Sequence, residues 1–172
     1  MRFSIFVIIL LIIASCSHKS DADLYNGGKA AEEQKDFQKA AELYEEAVAK
    51  YHTSVYAESS LIHLAFMYNN DVRDARKAIN AYKRYYELFP SSKEAPTMLF
   101  LSGFIYNNEL HQLDSARLVY DSFLQKYPNH ELAASAKFEL ETLGRDPGQA
   151  IAPQVAEVDR LKSEQAKKAT KK

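Results

Sequence analysis

The chain has no tryptophan, a single cysteine, and only five glycines and five prolines among its 172 residues. One cysteine cannot build a disulfide framework or a multi-cysteine metal site. So few glycines and prolines argue against many short strands joined by tight turns, and for long helices. Charge is nearly balanced, 22 Lys and Arg against 23 Asp and Glu for a net −1, so no basic field speaks for nucleic acid. A glycine-rich phosphate loop, a Gly-x-Ser-x-Gly elbow and a cysteine–histidine arrangement are all missing. The five histidines, His18, His52, His63, His111 and His130, are scattered, and none forms an i,i+4 pair with a carboxylate partner to hold a metal. The expectation is a chain that is not an enzyme and needs neither metal nor cofactor. Apolar content of 47% and charged content of 26% are ordinary for a globular protein.

What is there begins at the N-terminus. Met1-Arg2 is a short positive start. Phe3 to Ile13 is an apolar run broken only by Ser4, long enough for a signal-peptide core and too short to span a bilayer. Ile13-Ala14-Ser15-Cys16 follows directly and resembles the lipobox of bacterial lipoproteins. The resemblance implies a signal peptide over residues 1–15, cleavage before Cys16, and acylation of Cys16. The small pair lets a peptidase reach the bond, the thiol accepts the lipid, and several acyl chains on one residue hold firmly where one is marginal. In proteobacterial lipoproteins a residue such as Ser17 permits export to the outer membrane, so the expected location is the outer membrane, facing the periplasm. Asp21 and Asp23 form an acidic pair of the kind that some envelopes read for surface exposure. Residues 16–23 are expected to be a flexible tether.

Beyond the tether the sequence repeats every 38 residues. Ala40, Ala78 and Ala116 keep that step, as do Tyr44, Tyr82 and Tyr120, and Gly27, Ala65 and Gly103. Tyr51, Phe89 and Tyr127 do the same and precede His52, Pro90 and Pro128; Tyr68-Asn69-Asn70 recurs as Tyr106-Asn107-Asn108. Each unit reads as two helices. In the second, Leu61, Leu64, Ala65 and Tyr68 form one helical stripe, and Ala75, Ala78, Ile79, Tyr82 and Tyr85 form the next. Small residues at positions 65, 78, 103 and 116 let helix backbones approach, and Tyr82 and Tyr120 fill the space to the next hairpin. One such hairpin cannot bury its own apolar faces, so neighbours must stack.

This pattern resembles the tetratricopeptide repeat (TPR), carried by Leu61, Ala65, Tyr68, Ala78, Tyr82 and Phe89-Pro90, and again by Leu99, Gly103, Tyr106, Ala116, Tyr120 and Tyr127-Pro128. The resemblance implies an all-α, right-handed solenoid of three hairpins plus a capping helix over residues 24–143. The first unit departs from the pattern, with Ala30 in place of Tyr and His52 in place of Pro. The usual period is about 34 residues, so the extra residues belong in the turns. The aromatic-Pro-x-Ser ending, Phe89-Pro90-Ser91-Ser92, is similar to that of BamD-type lipoproteins of outer-membrane protein assembly and of the Tol-Pal-linked coordinator of cell-wall synthesis. The longer array of the first and the N-terminal coiled coil of the second are not found here.

In TPR arrays the first helix of each hairpin lines the concave side. Here those helices are apolar nearly all round, which demands cover on every side. With the packing stripes assigned, Ile62, Phe66, Phe100 and Phe104 are expected in the groove beside Asn69, Asn70, Asn107 and Asn108. An apolar strip with amide donors and acceptors suits a peptide segment of another envelope protein. The alternative is that the phenylalanines are covered by adjacent hairpins or by the C-terminal segment. The same positions argue against the carboxylate clamp of one TPR subtype, which needs Lys, Arg and Asn there. The cluster Arg73, Arg76, Lys77, Lys83 and Arg84 is expected to be a solvated outer face.

Glu131 to Leu143 continues the register as a capping helix with Lys137, Glu139 and Glu141 outward. Gly144-Arg145-Asp146-Pro147-Gly148 is a break. Residues 144–172 carry seven Lys and Arg against four Asp and Glu, whereas Cys16 to Leu143 carries fourteen against nineteen. This basic tail is expected to be mostly disordered, with a nascent helix at Val155, Val158 and Leu161. The expected function is that of a membrane-anchored envelope adaptor binding other envelope proteins, with no nucleic-acid partner. The alternatives are an accessory subunit of outer-membrane protein assembly, and a peptidoglycan or glycan binder using Tyr and Phe platforms. The pattern sets no oligomeric state.

Overall fold

Helix starts and stops follow local side chains. Ser20 Oγ accepts from the amide of Asp23 at 3.1 Å, and the Asp23 carboxylate accepts from the Ser20 amide at 3.1 Å. This reciprocal capping box satisfies two orphan N–H groups and starts α1 at Asp21 (Asp21–Glu33). The expected tether of 16–23 is therefore too long: its last three residues are helical. The Asp23 carboxyl is held below the usual carboxylate range by the bond that the Ser20 hydroxyl donates to it at 2.7 Å and by that of the Ser20 amide. The computed structural model describes residues 18–145, 157–163 and 167, so the signal peptide, Cys16 and most of the basic tail lie outside the described residues.

Six more helices follow: α2 (Phe37–Lys50), α3 (Val55–Asn70), α4 (Ala75–Leu88), α5 (Ala95–Asn108), α6 (Leu113–Lys126) and α7 (Ala133–Glu141). No strand occurs among the described residues. The architecture is the expected all-α stack of hairpins α1–α2, α3–α4 and α5–α6, capped by α7, with each second helix packed on the first helix of the next hairpin. The aromatic-Pro pairs act as stops: α4 ends one residue before Phe89-Pro90 and α6 one before Tyr127-Pro128. Proline disfavours helical backbone in the residue that precedes it.

The turn inside each hairpin has one design. Lys35, Arg73 and His111 have φ of 61°, 59° and 52°, and they are one 38-residue step apart. The left-handed residue lets the chain reverse, and the next residue caps the second helix: Asp36 Oδ1 accepts from the Lys39 amide and Asp74 Oδ1 from the Lys77 amide, both at 3.0 Å. Gln112, third in the series, makes no side-chain cap.

The first turn is one residue shorter than the other two, 34–36 against 71–74 and 109–112. This moves the small-residue position. Gly28, not Gly27, lies beneath Tyr44: a Cβ on Gly28 would stand 2.5 Å from Tyr44 Cε1, whereas one on Gly27 would meet only Leu43 Cδ1 at 3.3 Å. Gly103 keeps the repeat's spacing, with a Cβ position 2.9 Å from Tyr120 Cε1. Likewise Ala31, rather than Ala30, is the buried equivalent of Tyr68. The fully buried Tyr44, Tyr82 and Tyr120 are the wedges of the stack, each covering roughly 150–250 Å².

A short helix covers residues 157–163, exposed throughout. Val158 and Leu161 point to solvent; Val155, expected to share their stripe, lies outside the described residues.

Candidate partner-binding face

Leu61, Leu64 and Ala65 of α3 are fully buried, which fixes the rotation of that helix and turns Phe66 outward. Phe66 keeps 39% of its surface exposed and Phe104 41%. They are 38 residues apart, so they hold the same place on successive first helices and share one face. The Phe66 ring is anchored edge-on against Tyr82, centroids 5.9 Å apart. Ile62 is half-buried against the core beside it. Asn70 is exposed and accepts from Asn69 Nδ2 at 2.9 Å. Asn69 Oδ1 is buried without a hydrogen-bond partner among the described residues. Asn108 Nδ2 donates to the Phe104 carbonyl of its own helix at 3.0 Å.

Two expected groove residues are elsewhere. Phe100 is buried, its ring centroid 5.6 Å from Tyr120 and 5.9 Å from Phe123. The reason is that α5 packs against both α4 and α6, so more of its circumference is covered than one stripe accounts for. Asn107 is also buried. Its Nδ2 donates to Glu139 Oε2 at 3.1 Å and its Oδ1 accepts from the Gly144 amide at 3.3 Å, which ties α5 to the end of α7. Glu139 is therefore not an outward cap residue. Of the expected groove residues, Phe66, Asn70 and Phe104 are exposed, and Ile62, Asn69 and Asn108 are half-buried beside them.

The polar network between the first two hairpins is not apparent from the sequence motifs. Glu32 Oε2 accepts from the Tyr44 hydroxyl at 2.7 Å and from His63 Nδ1 at 2.8 Å. With its proton on Nδ1, His63 can accept at Nε2 from the Tyr25 hydroxyl, 3.3 Å away. Burial first, then the bond to Glu32 and its charge, push the Tyr44 phenol well above its ordinary range. The equivalent tyrosine of the third hairpin, Tyr120, donates to Glu139 at 3.4 Å and is raised by burial and by the Glu139 charge. The available signal was the register itself: His63, Leu101 and Glu139 each follow a wedge tyrosine by 19 residues.

The basic cluster is only partly a solvated face. Arg84 Nη1 bonds both oxygens of Glu45 at 2.8 Å, joining α4 to α2. Lys77 and Lys83 make exposed pairs at 3.8 Å with Asp74 and Glu87, contacts of little energetic weight. Among the described residues no group of His, Cys, Asp and Glu is arranged to hold a metal ion.

The hairpin stack and its aromatic-Pro stops agree with a similarity at the family level. A family model for YfiO, described as an outer membrane lipoprotein, matches residues 17–146. The chain belongs to the YfiO family. The match begins one residue after Cys16 and takes in α1 to α7. No curated protein matches the chain. YfiO membership makes it an outer membrane lipoprotein of the BamD TPR type. No helix among the described residues is long and apolar enough to cross a membrane.

Proposed function

We propose that this YfiO-family lipoprotein is a non-catalytic adaptor, held at the outer membrane by acyl chains on Cys16 after removal of residues 1–15. Its repeat domain would present the face around Phe66 and Phe104 to a peptide segment of another envelope protein. The observation that carries this reading is the pair itself. Two large aromatic rings stay about 40% exposed at the same register of successive first helices, α3 and α5. Paired exposed apolar residues rimmed by amides are the expected make-up of a peptide-docking strip. The stacked hairpins preorganise the strip, and the lipid raises its local concentration at the membrane.

Within that reading, family membership favours a role as an accessory subunit of outer-membrane protein assembly. A photo-crosslinking residue at position 104, used in cells and followed by mass spectrometry, tests both levels. Adducts with outer-membrane barrel-assembly proteins support the finer reading, and adducts with other defined envelope proteins support only the adaptor. Adducts with lipid or glycan and no protein sink both.

A further inference from the structure

A second groove runs along the other helices of the stack, between α4 and α6 with α5 as its floor. Its volume is about 380 Å³, and Ile79, Tyr82, Tyr86, Tyr106, Leu118 and Val119 form its apolar wall. Leu118, at 72%, is the most exposed large apolar side chain of the repeat domain.

Comparison with the preceding groove, between α2 and α4, shows how far this one departs from the repeat. The earlier groove is lined by Ala41, Glu45 and Lys77, with Asn80 and Ala81 beside them, and the Arg84–Glu45 pair spans it. One period later these positions are Ile79, Lys83, Ser115, Leu118 and Val119, and the partners of the bridge become Lys83 and Ser122, which cannot pair. The bridging pair has been lost and aliphatic surface added at matching places, with Lys83 and Glu87 still among the lining. In the wall, Tyr82 is 1% exposed, yet its hydroxyl makes no hydrogen bond to any described residue. Its counterparts Tyr44 and Tyr120 both donate to a carboxylate. Leu101, in the place of His63 and Glu139, supplies no acceptor. The Tyr82 hydroxyl faces this groove instead, where an occupant could supply an acceptor.

We propose that the helix at 157–163 of this same chain seats in the α4–α6 groove, with Val158 and Leu161 against Leu118, Val119 and Ile79. Three observations favour this occupant. Val158 and Leu161, one helical turn apart, are both about half exposed and form one apolar edge. Beyond α7 the chain passes Gly144, which packs on Leu113, the first residue of α6 and within about one and a half turns of Ser115 and Leu118. The eleven residues 146–156 that follow span up to roughly 36–40 Å when extended, whereas α6 is only about 21 Å long, so every point of the groove is within reach. In the present conformation the groove is open. Docking is the second state of this pair, driven by a high local concentration.

The test is disulfide trapping in the full-length chain. Leu118→Cys with Leu161→Cys is compared with Glu42→Cys with Leu161→Cys, position 42 being a matched place on α2 outside the groove. Under mild oxidation the 118–161 bond, identified by peptide mass, is expected to form roughly 10-fold faster than 42–161 because docking raises the local thiol concentration. The rate should not depend on protein concentration, and adding Val158→Asp should return it to the control value. Equal rates for the two pairs overturn the proposal. So does a disulfide-linked dimer whose yield rises with concentration, which assigns the groove to a second copy. Equal rates in the pure chain with Leu118→Cys shielded from a thiol reagent only in intact envelopes assign it to another protein, and likewise overturn it.

Discussion

His63 Nδ1 on α3 lies 2.8 Å from Glu32 Oε2 on α1, and the same oxygen accepts from the hydroxyl of Tyr44 on α2. Three helices of two hairpins thus meet at one carboxylate, with the His63 ring stacked on Tyr44 at a centroid distance of 5.3 Å. Because the site is about a quarter exposed, water replaces part of what is removed. His63→Leu is expected to lower stability by about 1 kcal/mol, and Glu32→Gln by less than Glu32→Leu, since the amide still accepts. Urea unfolding of each variant measures this; equal losses for Gln and Leu would show that the carboxyl oxygen is not the point of junction.

The shifted register of the first hairpin makes neighbouring glycines unequal. Gly28→Ala drives a methyl to within 2.5 Å of Tyr44 and is expected to cost about 1–3 kcal/mol. Gly27→Ala meets only a leucine methyl at 3.3 Å and is expected to be neutral, or stabilising by up to about 1 kcal/mol through helix propensity. Thermal melts of the two variants decide it; the reverse order would restore the unshifted register.

The two asparagine pairs divide the same way. Asn107→Ala leaves Glu139 with Tyr120 alone and strands the Gly144 amide and is expected to cost about 1–3 kcal/mol, with faster amide exchange in α7. Asn108→Ala breaks only a bond to its own helix and is expected to leave stability within about 0.5 kcal/mol. Hydrogen exchange with mass spectrometry reads both.

The buried tyrosines set an alkaline limit. Burial and neighbouring carboxylates raise Tyr44, Tyr85 and Tyr120 above the usual phenol range, and burial with the charge of Glu109 pushes Tyr82 up to about 12. Above pH 10 the unfolded chain releases phenolic protons that the folded chain retains, so it binds fewer protons and stability falls as pH rises. The contribution is complete below about pH 10 and is lost through the folded-state values. The melting temperature should therefore stay level to about pH 9.5 and then drop. Tyr82→Phe should flatten that drop; a melting temperature unchanged to pH 12 would contradict it.

Much of this molecule was legible in the 38-residue step. The step located α1 to α6, named the wedge tyrosines and placed the stops at Phe89-Pro90 and Tyr127-Pro128, because each depends on spacing along one helix or one turn. The apolar run ending in Cys16 supplied the envelope address for the same reason. Rotational and through-space facts were not legible. Phe100 and Phe104 are one turn apart on α5 and of one chemical type, yet the first is core and the second surface, because α5 has α4 on one side and α6 on the other. Asn107 and Asn108 are adjacent and identical, and only the folded chain brings Glu139 and Gly144 to the first of them.

Spacing along the chain thus determined which segments are helices and which residues wedge them together. Only the tertiary structure decided which of the remaining apolar side chains stay outside, since that depends on how many neighbours each helix has. It also decided that Tyr82 would lack the carboxylate that Tyr44 and Tyr120 each find, because that carboxylate comes from a different helix in each case.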